Sequence, residues 1–141
     1  MVFAGINYVA IVIAAVLGFA ASSAWYMSLR QSYAAALGKT VDLMAAERSK
    51  PGAFLPYIYA LIGNIIIGWM LAGLLGHLGT GQVTLRNGIV SAAFIWFGFI
   101  LTTMIVNFSF SGRDWRLLAI DLGNWLIVLL VMGAVIGGIG V

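Results

Sequence analysis

The sequence predicts an all-α integral membrane protein with four transmembrane helices, and three observations support this fold class. The chain has 141 residues, of which 63% are hydrophobic and 8% are charged, whereas a water-soluble domain of this size needs far more charged surface. Its apolar residues form four long stretches, which favour helices over the short alternating segments of a membrane barrel. The charged residues are concentrated in the connections between the stretches.

Each apolar stretch is long enough to cross a bilayer as a helix, for which about 20 residues are needed. The stretches cover residues 3–27, 53–78, 88–110 and 117–141. We therefore predict a single transmembrane domain over residues 1–141, surrounded by lipid, in which residues 28–52 form the longest connection.

The basic residues predict how this domain is oriented. The first and third connections contain six of the seven: Arg30, Lys39, Arg48, Lys50, Arg113 and Arg116. The second connection contains only Arg86. By the positive-inside rule, segments 28–52 and 111–116 are predicted to be cytoplasmic, with both termini outside (periplasmic) in an inner (plasma) membrane. Trp25, Tyr26 and Trp115 are then expected as aromatic anchors at the cytoplasmic interface.

The first connection, in "ALGKTVDLMAAERSKP" (residues 36–51), contains the signals of a short helix. Gly38 can end the preceding helix in a left-handed conformation, Thr40 can cap a new helix, and Pro51 follows its end. We expect this helix to lie at the membrane surface. A role in docking a partner or in gating is the alternative.

Two weak similarities suggest an internal repeat. Residues 7–23 and 87–103 share an Asn, a Gly-Phe pair and two adjacent hydroxyl residues at the same spacing. Residues 61–73 and 121–133 share two glycines and an Asn at the same spacing. The first and third helices would then be equivalent, as would the second and fourth, in a parallel repeat. Chance similarity in a chain rich in glycine is the alternative.

Small residues recur at four-residue spacing in three of the stretches, as at Gly133 and Gly137. Such residues allow the backbones of membrane helices to approach closely. We expect them to form packing seams, either within the protomer or between protomers, and we expect the chain to form a homo-oligomer.

The fourth stretch is interrupted by a carboxylate, Asp121, and an amide, Asn124. At about 1.5 Å per residue, they lie ~6 Å and ~10 Å beyond Leu117. Asp121 has two interpretations. It is either an interfacial residue satisfied by Arg113, Arg116, water or a helix N-terminus, or an ionisable group in a proton or cation path.

Other polar residues are expected to converge with these two in the cytoplasmic half of the membrane. They would either form hydrogen bonds between helices or line a water-filled vestibule. The complete predicted intramembrane site consists of Asp121, Asn124, Asn64, Asn107, Ser22, Ser23, Thr102 and Thr103.

Several classes of site lack support in the sequence. There is no cysteine and only one histidine, His77, so we predict neither a metal site nor a cofactor. There is no basic stripe with interleaved aromatic residues, so nucleic acid is not a predicted partner. We found no nucleophile–base pair, paired carboxylates or phosphate-binding loop, and an enzyme is therefore not favoured.

Two segments resemble a known family. They are the opening "MVFAGINYVAIVIAAVLGFAASSAWY", with Asn7, Gly18 and the Trp25–Tyr26 pair, and "RDWRLLAIDLGNWLIVLLVMGAVIG" in the last stretch. Both are similar to a family of small four-helix bacterial inner-membrane proteins that is known only as a domain of unknown function. The resemblance covers essentially the whole chain. It implies a membrane location and supplies no activity.

The sequence leaves two main functions open. The first is a small oligomeric membrane channel or transporter whose polar site includes Asp121, Asn124 and Asn64. The second is a non-catalytic accessory or assembly subunit of a larger membrane complex, which the small chain and its glycine seams favour.

Overall fold

The fold is described by a computed structural model that covers residues 6–79 and 81–141 and contains seven α-helices in those residues. A π-helical segment, Trp96–Leu101, joins the fifth helix to the sixth. The helices are α1 (Tyr8–Ser28), α2 (Arg30–Ala36), α3 (Val41–Arg48), α4 (Leu55–His77), α5 (Leu85–Ile95), α6 (Thr102–Ser111) and α7 (Trp115–Ile139).

Four helical segments are long and apolar enough to cross a membrane: α1, α4, the segment Leu85–Ser111 and α7. We call Leu85–Ser111, which comprises α5, the π-helical segment and α6, the third span. The all-α fold with four membrane spans is therefore confirmed. Residues 3–5 of the first predicted helix lie outside the described residues.

Two spans begin earlier than their apolar stretches because capping residues start them. Thr84 precedes α5, and its side chain accepts a hydrogen bond from the Asn87 N–H at 3.2 Å. Asp114 precedes α7 and accepts from the Arg116 N–H at 2.8 Å. Such side-chain oxygens satisfy amide groups that the first turn of a helix leaves without partners.

The first connection folds into α2 and the short helix α3. Gly38 adopts a left-handed φ of 67°, and Thr40 accepts from the Leu43 N–H at 3.2 Å. An ion pair of 2.8 Å between Lys39 and Glu47 holds α3 to the residues before it, and this partner lowers the pKa of the Glu47 carboxyl. No residue of α3 is buried.

The first connection lies at the same end of the bundle as the turn between α6 and α7, because successive spans are antiparallel. This end carries the six basic residues of the first and third connections. We call it the basic end, and the other the opposite end.

The central element is α7, which packs against α1 on one side and α5 on another, while α4 packs mainly against α1. In the predicted repeat, α1 would correspond to the third span and α4 to α7. The packing is not symmetric in this sense, because α7 packs extensively on α1 whereas α4 makes only a small contact with α5. The internal repeat stays a prediction.

Between α1, α4 and α7 lies an apolar core in the half of the bundle towards the opposite end. Met132 fills the space that two glycines leave: a β-carbon on Gly18 would lie 3.1 Å from its Cγ, and one on Gly68 would lie 3.1 Å from its Cε. The buried members of this core are Ile11, Ala14, Leu71, Ala72, Leu75, Val128, Met132 and Ile136.

The glycines of α7 form a seam with α5 inside the protomer. The Gly88 backbone contacts both Gly133 and Gly137. A β-carbon on Gly133 would lie 2.9 Å from the carbonyl carbon of Gly88 and 2.8 Å from the β-carbon of Ala92. Because these neighbours belong to a helix backbone and its short side chain, they cannot move aside without shifting the helix.

We predict that Gly133→Ala lowers the stability of the bundle by about 1–3 kcal/mol, the usual cost of overpacking. Gly138→Ala is the matched control on the same helix, because its β-carbon would meet only Leu85 Cδ1 at 4.0 Å. Thermal unfolding in mild detergent, followed by tryptophan fluorescence, measures both variants. Equal midpoints for the two variants would contradict the described α5–α7 contact.

Candidate functional site

The acidic residue of the fourth span is paired with a phenol from the first span. The Tyr26 hydroxyl donates a hydrogen bond of 2.7 Å to Asp121 Oδ1. The antiparallel packing of α1 on α7 creates this contact, because the last turns of α1 then lie beside the first turns of α7. Asp121 is half-buried, and its partner is uncharged.

Trp25, next to Tyr26, bonds to the residue of α7 that precedes Asp121. Its Nε1 donates a hydrogen bond of 2.9 Å to the Ile120 carbonyl. Its ring lies over Gly123, where a β-carbon would come within 2.5 Å of the indole Cζ2. Gly123 therefore gives the indole room to reach the backbone.

Of the three predicted aromatic anchors, two direct their polar atoms into the helix packing. Trp25 and Tyr26 donate to groups of α7, whereas Trp115 is exposed. The sequence predicted that all three rings are interfacial. It did not indicate that two of them contact α7.

Asn124 is buried between these contacts. With 3.6 residues per turn, it lies about 40° from Ile120 and about 60° from Asp121 around the axis of α7. It therefore faces α1 between the Trp25 and Tyr26 contacts. Its side chain is 5% exposed. Its Oδ1 is buried and accepts no hydrogen bond from the part of the chain that the structure describes.

Asn64 is also buried, at 4% exposure, but it lies at a different depth. Its Nδ2 donates to the Ala15 carbonyl at 3.3 Å. A β-carbon on Gly18 would lie 3.4 Å from this nitrogen and 3.1 Å from Met132 Cγ, which places Asn64 level with Met132. Met132 follows Asn124 by eight residues, or ~12 Å of helix. Asn64 thus links α4 to α1 and does not join the acidic residue.

Two serines of α1 lie near the site without bonding to it. Ser22 and Ser23 are half-buried. The Ser23 hydroxyl donates to the Phe19 carbonyl of its own helix at 2.9 Å. Ser22 follows Gly18 by one turn on the face directed at α7.

The structure does not bring the polar residues of the third span together with Asp121. Thr102, Thr103 and Asn107 are exposed. The Thr102 hydroxyl donates at 2.7 Å to the Gly98 carbonyl of its own span. The physical reason is that another face of α6 is packed: Phe108, with Met104 beside it, contacts Leu117 and Leu118 at the start of α7.

Sequence reasoning missed Trp96, the first residue of the π-helical segment. Its Nε1 donates to the Leu122 carbonyl at 2.9 Å. Tryptophans from two different spans therefore bind carbonyls two residues apart, in one turn of α7 and on roughly opposite sides of its axis. A buried indole in a membrane protein needs an acceptor, but the sequence gives no sign of which one.

Tyr33 of α2 was also missed, and it covers Tyr26 from the basic end. Their rings meet edge to face with centroids 4.9 Å apart. Tyr33 also packs against the cluster formed by Phe108, Leu117 and Leu118. Burial, and secondarily the nearby Asp121, raises the pKa of the Tyr33 hydroxyl. The phenol therefore stays uncharged beyond its usual pH range.

The two arginines suggested as partners for Asp121 are engaged elsewhere or exposed. Arg113 lies over the Phe108 ring, 5.7 Å from its centroid, and Arg116 is exposed. Among the described residues, the ion pair is that of Lys39 and Glu47. Nor does any group of three or more His, Cys, Asp or Glu side chains in residues 6–79 and 81–141 come together as metal ligands.

The comparison with protein families identifies the group to which this fold and site belong. The family described as "Protein of unknown function (DUF1761)" matches residues 9–137. The chain belongs to the DUF1761 family. The matched segment contains both Tyr26 and Asp121, and it confirms the resemblance to an uncharacterised family. No curated protein and no solved structure matches the chain.

We predict that Tyr26→Phe, which deletes the hydrogen bond to Asp121, lowers the unfolding free energy by about 1–2 kcal/mol. Tyr33→Phe is the matched control, because no hydrogen bond of its hydroxyl occurs within the described residues and its ring contacts are retained. Unfolding in mild detergent at neutral pH measures both. A loss for Tyr33→Phe as large as that for Tyr26→Phe would show that the Tyr26–Asp121 bond is not the cause.

Proposed function

We propose that the protein is a small oligomeric membrane channel or transporter whose polar site comprises Asp121, Tyr26 and Asn124. The observation that carries the proposal is a half-buried carboxylate inside a candidate membrane span whose hydrogen-bond donor is a neutral phenol. Carboxylates in membrane spans are costly and commonly belong to ion or proton pathways.

The lack of an ion pair at Asp121 among the described residues argues against a purely structural role for this carboxylate. A carboxylate retained for stability in an apolar environment gains most from a charged, hydrogen-bonded partner. Arg113 and Arg116 precede Asp121 in the chain, and Arg113 interacts with it electrostatically, yet neither arginine forms an ion pair with it among the described residues. We infer that this carboxylate is kept available for a mobile ligand.

The packing of the other half of the bundle favours a transporter or a gated channel over a permanently open pore. Beyond Asn124, the interface of α1, α4 and α7 is filled by apolar side chains, with Met132 closed against Gly18 and Gly68. Passage from the polar site towards the opposite end thus requires either a change in this packing or a route between protomers.

For the orientation, we propose that the basic end faces the cytoplasm of a bacterial inner (plasma) membrane and that both termini lie outside. The six basic residues at this end, against Arg86 at the other, support the assignment through the positive-inside rule.

This orientation predicts how single cysteines react with a membrane-impermeant maleimide. Because the native chain has no cysteine, each variant reports one position. Ser49→Cys, in the first connection, should react only after the cells are lysed, whereas Gln82→Cys, in the second, should react in intact spheroplasts. The reverse pattern would invert the proposed topology.

The transport proposal predicts that Asp121→Asn removes at least nine-tenths of the flux through the purified protein in liposomes. The substitution keeps the shape of the side chain and deletes its charge. Asp42→Asn makes the same chemical change at an exposed position of α3 and should retain full flux. Ion and proton flux can be followed with entrapped fluorescent indicators under an imposed gradient. Flux that persists unchanged in Asp121→Asn would refute the assigned site.

The alternative, an accessory or assembly subunit, has one observation of its own in favour. In the most apolar 18-residue segment of the third span, 6% of the residues are buried, whereas 28–39% are buried in the corresponding segments of the other three spans. This span also exposes Thr103 and Asn107. A partner subunit would cover such a surface.

The flux experiment also separates the two functions. A transport protein gives flux as a single purified component. An accessory subunit gives none by itself, and it copurifies with further stoichiometric chains when it is extracted from native membranes in mild detergent.

A further inference from the structure

We propose that the Asp121 site binds a monovalent cation, held by the Asp121 carboxylate and the carbonyl oxygen of the Asn124 side chain. This inference deepens the proposed function, on which it rests, by naming the class of ligand. It depends on the oxygens of the site that have no donor, on the direction of the Asn124 side chain, and on the charge that a ligand must compensate.

Two oxygens of the site have no hydrogen-bond donor among the described residues. Asn124 Oδ1 is buried and has no donor among the described residues. The Asp121 carboxylate offers two oxygens, and the hydrogen bond from Tyr26 reaches one of them. The indole donors of Trp25 and Trp96 are engaged, since each binds a backbone carbonyl of α7. Such a set of oxygens is complementary to a cation.

The helix geometry brings the two oxygens towards each other. Side chains on a helix lean towards its N-terminus, so a residue covers the turn that precedes it. The Asn124 side chain therefore extends over the turn that contains Ile120 and Asp121. The Trp25 ring on Gly123 forms one wall of this region, and Tyr26 forms the other. The resulting site lies between α1 and α7.

The charge of the site favours a ligand that carries a single positive charge. Asp121 is the acidic residue of this region, and no group of three or more metal-ligating His, Cys, Asp or Glu side chains occurs among the residues that the structure describes. Divalent cations such as Ca²⁺ take six to eight oxygen ligands and are commonly held by several carboxylates. One carboxylate with neutral oxygens suits an alkali-metal ion or a protonated amine, and both have the required charge.

Direct binding of ²²Na⁺ to the purified full-length chain in detergent tests the proposal, with choline chloride keeping the ionic strength constant. We expect saturable binding that Asp121→Asn abolishes and that Asn124→Leu weakens at least tenfold. Asn64→Leu is the matched control, because it removes an equally buried amide whose nitrogen is already bound to Ala15. Its affinity should change less than twofold.

Competition between cations for the ²²Na⁺ site identifies the chemical class of the bound cation. Displacement of ²²Na⁺ by Li⁺ or K⁺ but not by ethylammonium indicates an alkali-metal site, and the converse order of potency indicates a site for protonated amines. Asn124→Leu should fold, because it replaces an unpaired buried amide with an apolar side chain of similar size. Its thermal midpoint checks this, and Asn124→Ala serves as a second variant.

The proposal is overturned if neither ²²Na⁺ nor labelled ethylammonium binds saturably, or if Asn124→Leu binds as tightly as the native chain. This outcome is distinct from a failure of the proposed function. Flux without saturable cation binding refutes the cation site but not the transport function, and it is the result expected of a pure proton pathway. Cation binding without flux in liposomes supports the site and refutes transport by the isolated chain.

Discussion

The hydrocarbon core of a membrane offers no water to polar groups, so each must find its hydrogen-bond partner within the protein. This constraint explains most polar contacts in the four spans. Trp25, Trp96 and Asn64 donate to backbone carbonyls of neighbouring helices, and Ser23 and Thr102 donate to carbonyls of their own helices. The bonds of Trp25, Trp96 and Asn64 tie the spans together, and none of them involves a charged group.

Against this background, Asp121 and Asn124 are exceptional. Among the described residues, Asp121 is ionisable and has only a phenol as its donor, and Asn124 has a buried oxygen without a donor. Both lie on the side of α7 that faces α1, within one turn of each other. Because the remainder of the same interface is apolar and closely packed, the polar character is confined to a short stretch near the basic end.

The sequence allowed the number of spans, the short helix of the first connection and its caps at Gly38 and Thr40 to be predicted. Asp121 and Asn124 were also recognised, since a carboxylate and an amide stand out in an apolar stretch. The faces of the helices could not be predicted, because lipid and protein core are both apolar and a membrane helix has little amphipathic periodicity. For this reason Tyr26 was recognised only as an anchor. The outward direction of Thr102, Thr103 and Asn107 was missed for the same reason.

The π-helical segment Trp96–Leu101 determines how the two halves of the third span are turned relative to each other. A π turn accommodates one more residue than an α-helical turn, and one residue corresponds to about 100° of rotation around a helix. Without the extra residue, α6 would be rotated by roughly that angle while α5 remained locked to α7 by its glycine contacts. The direction in which Phe108 points from the axis of α6 thus depends on one additional residue. The same residue determines whether aromatic or hydroxyl-bearing side chains of α6 face α7.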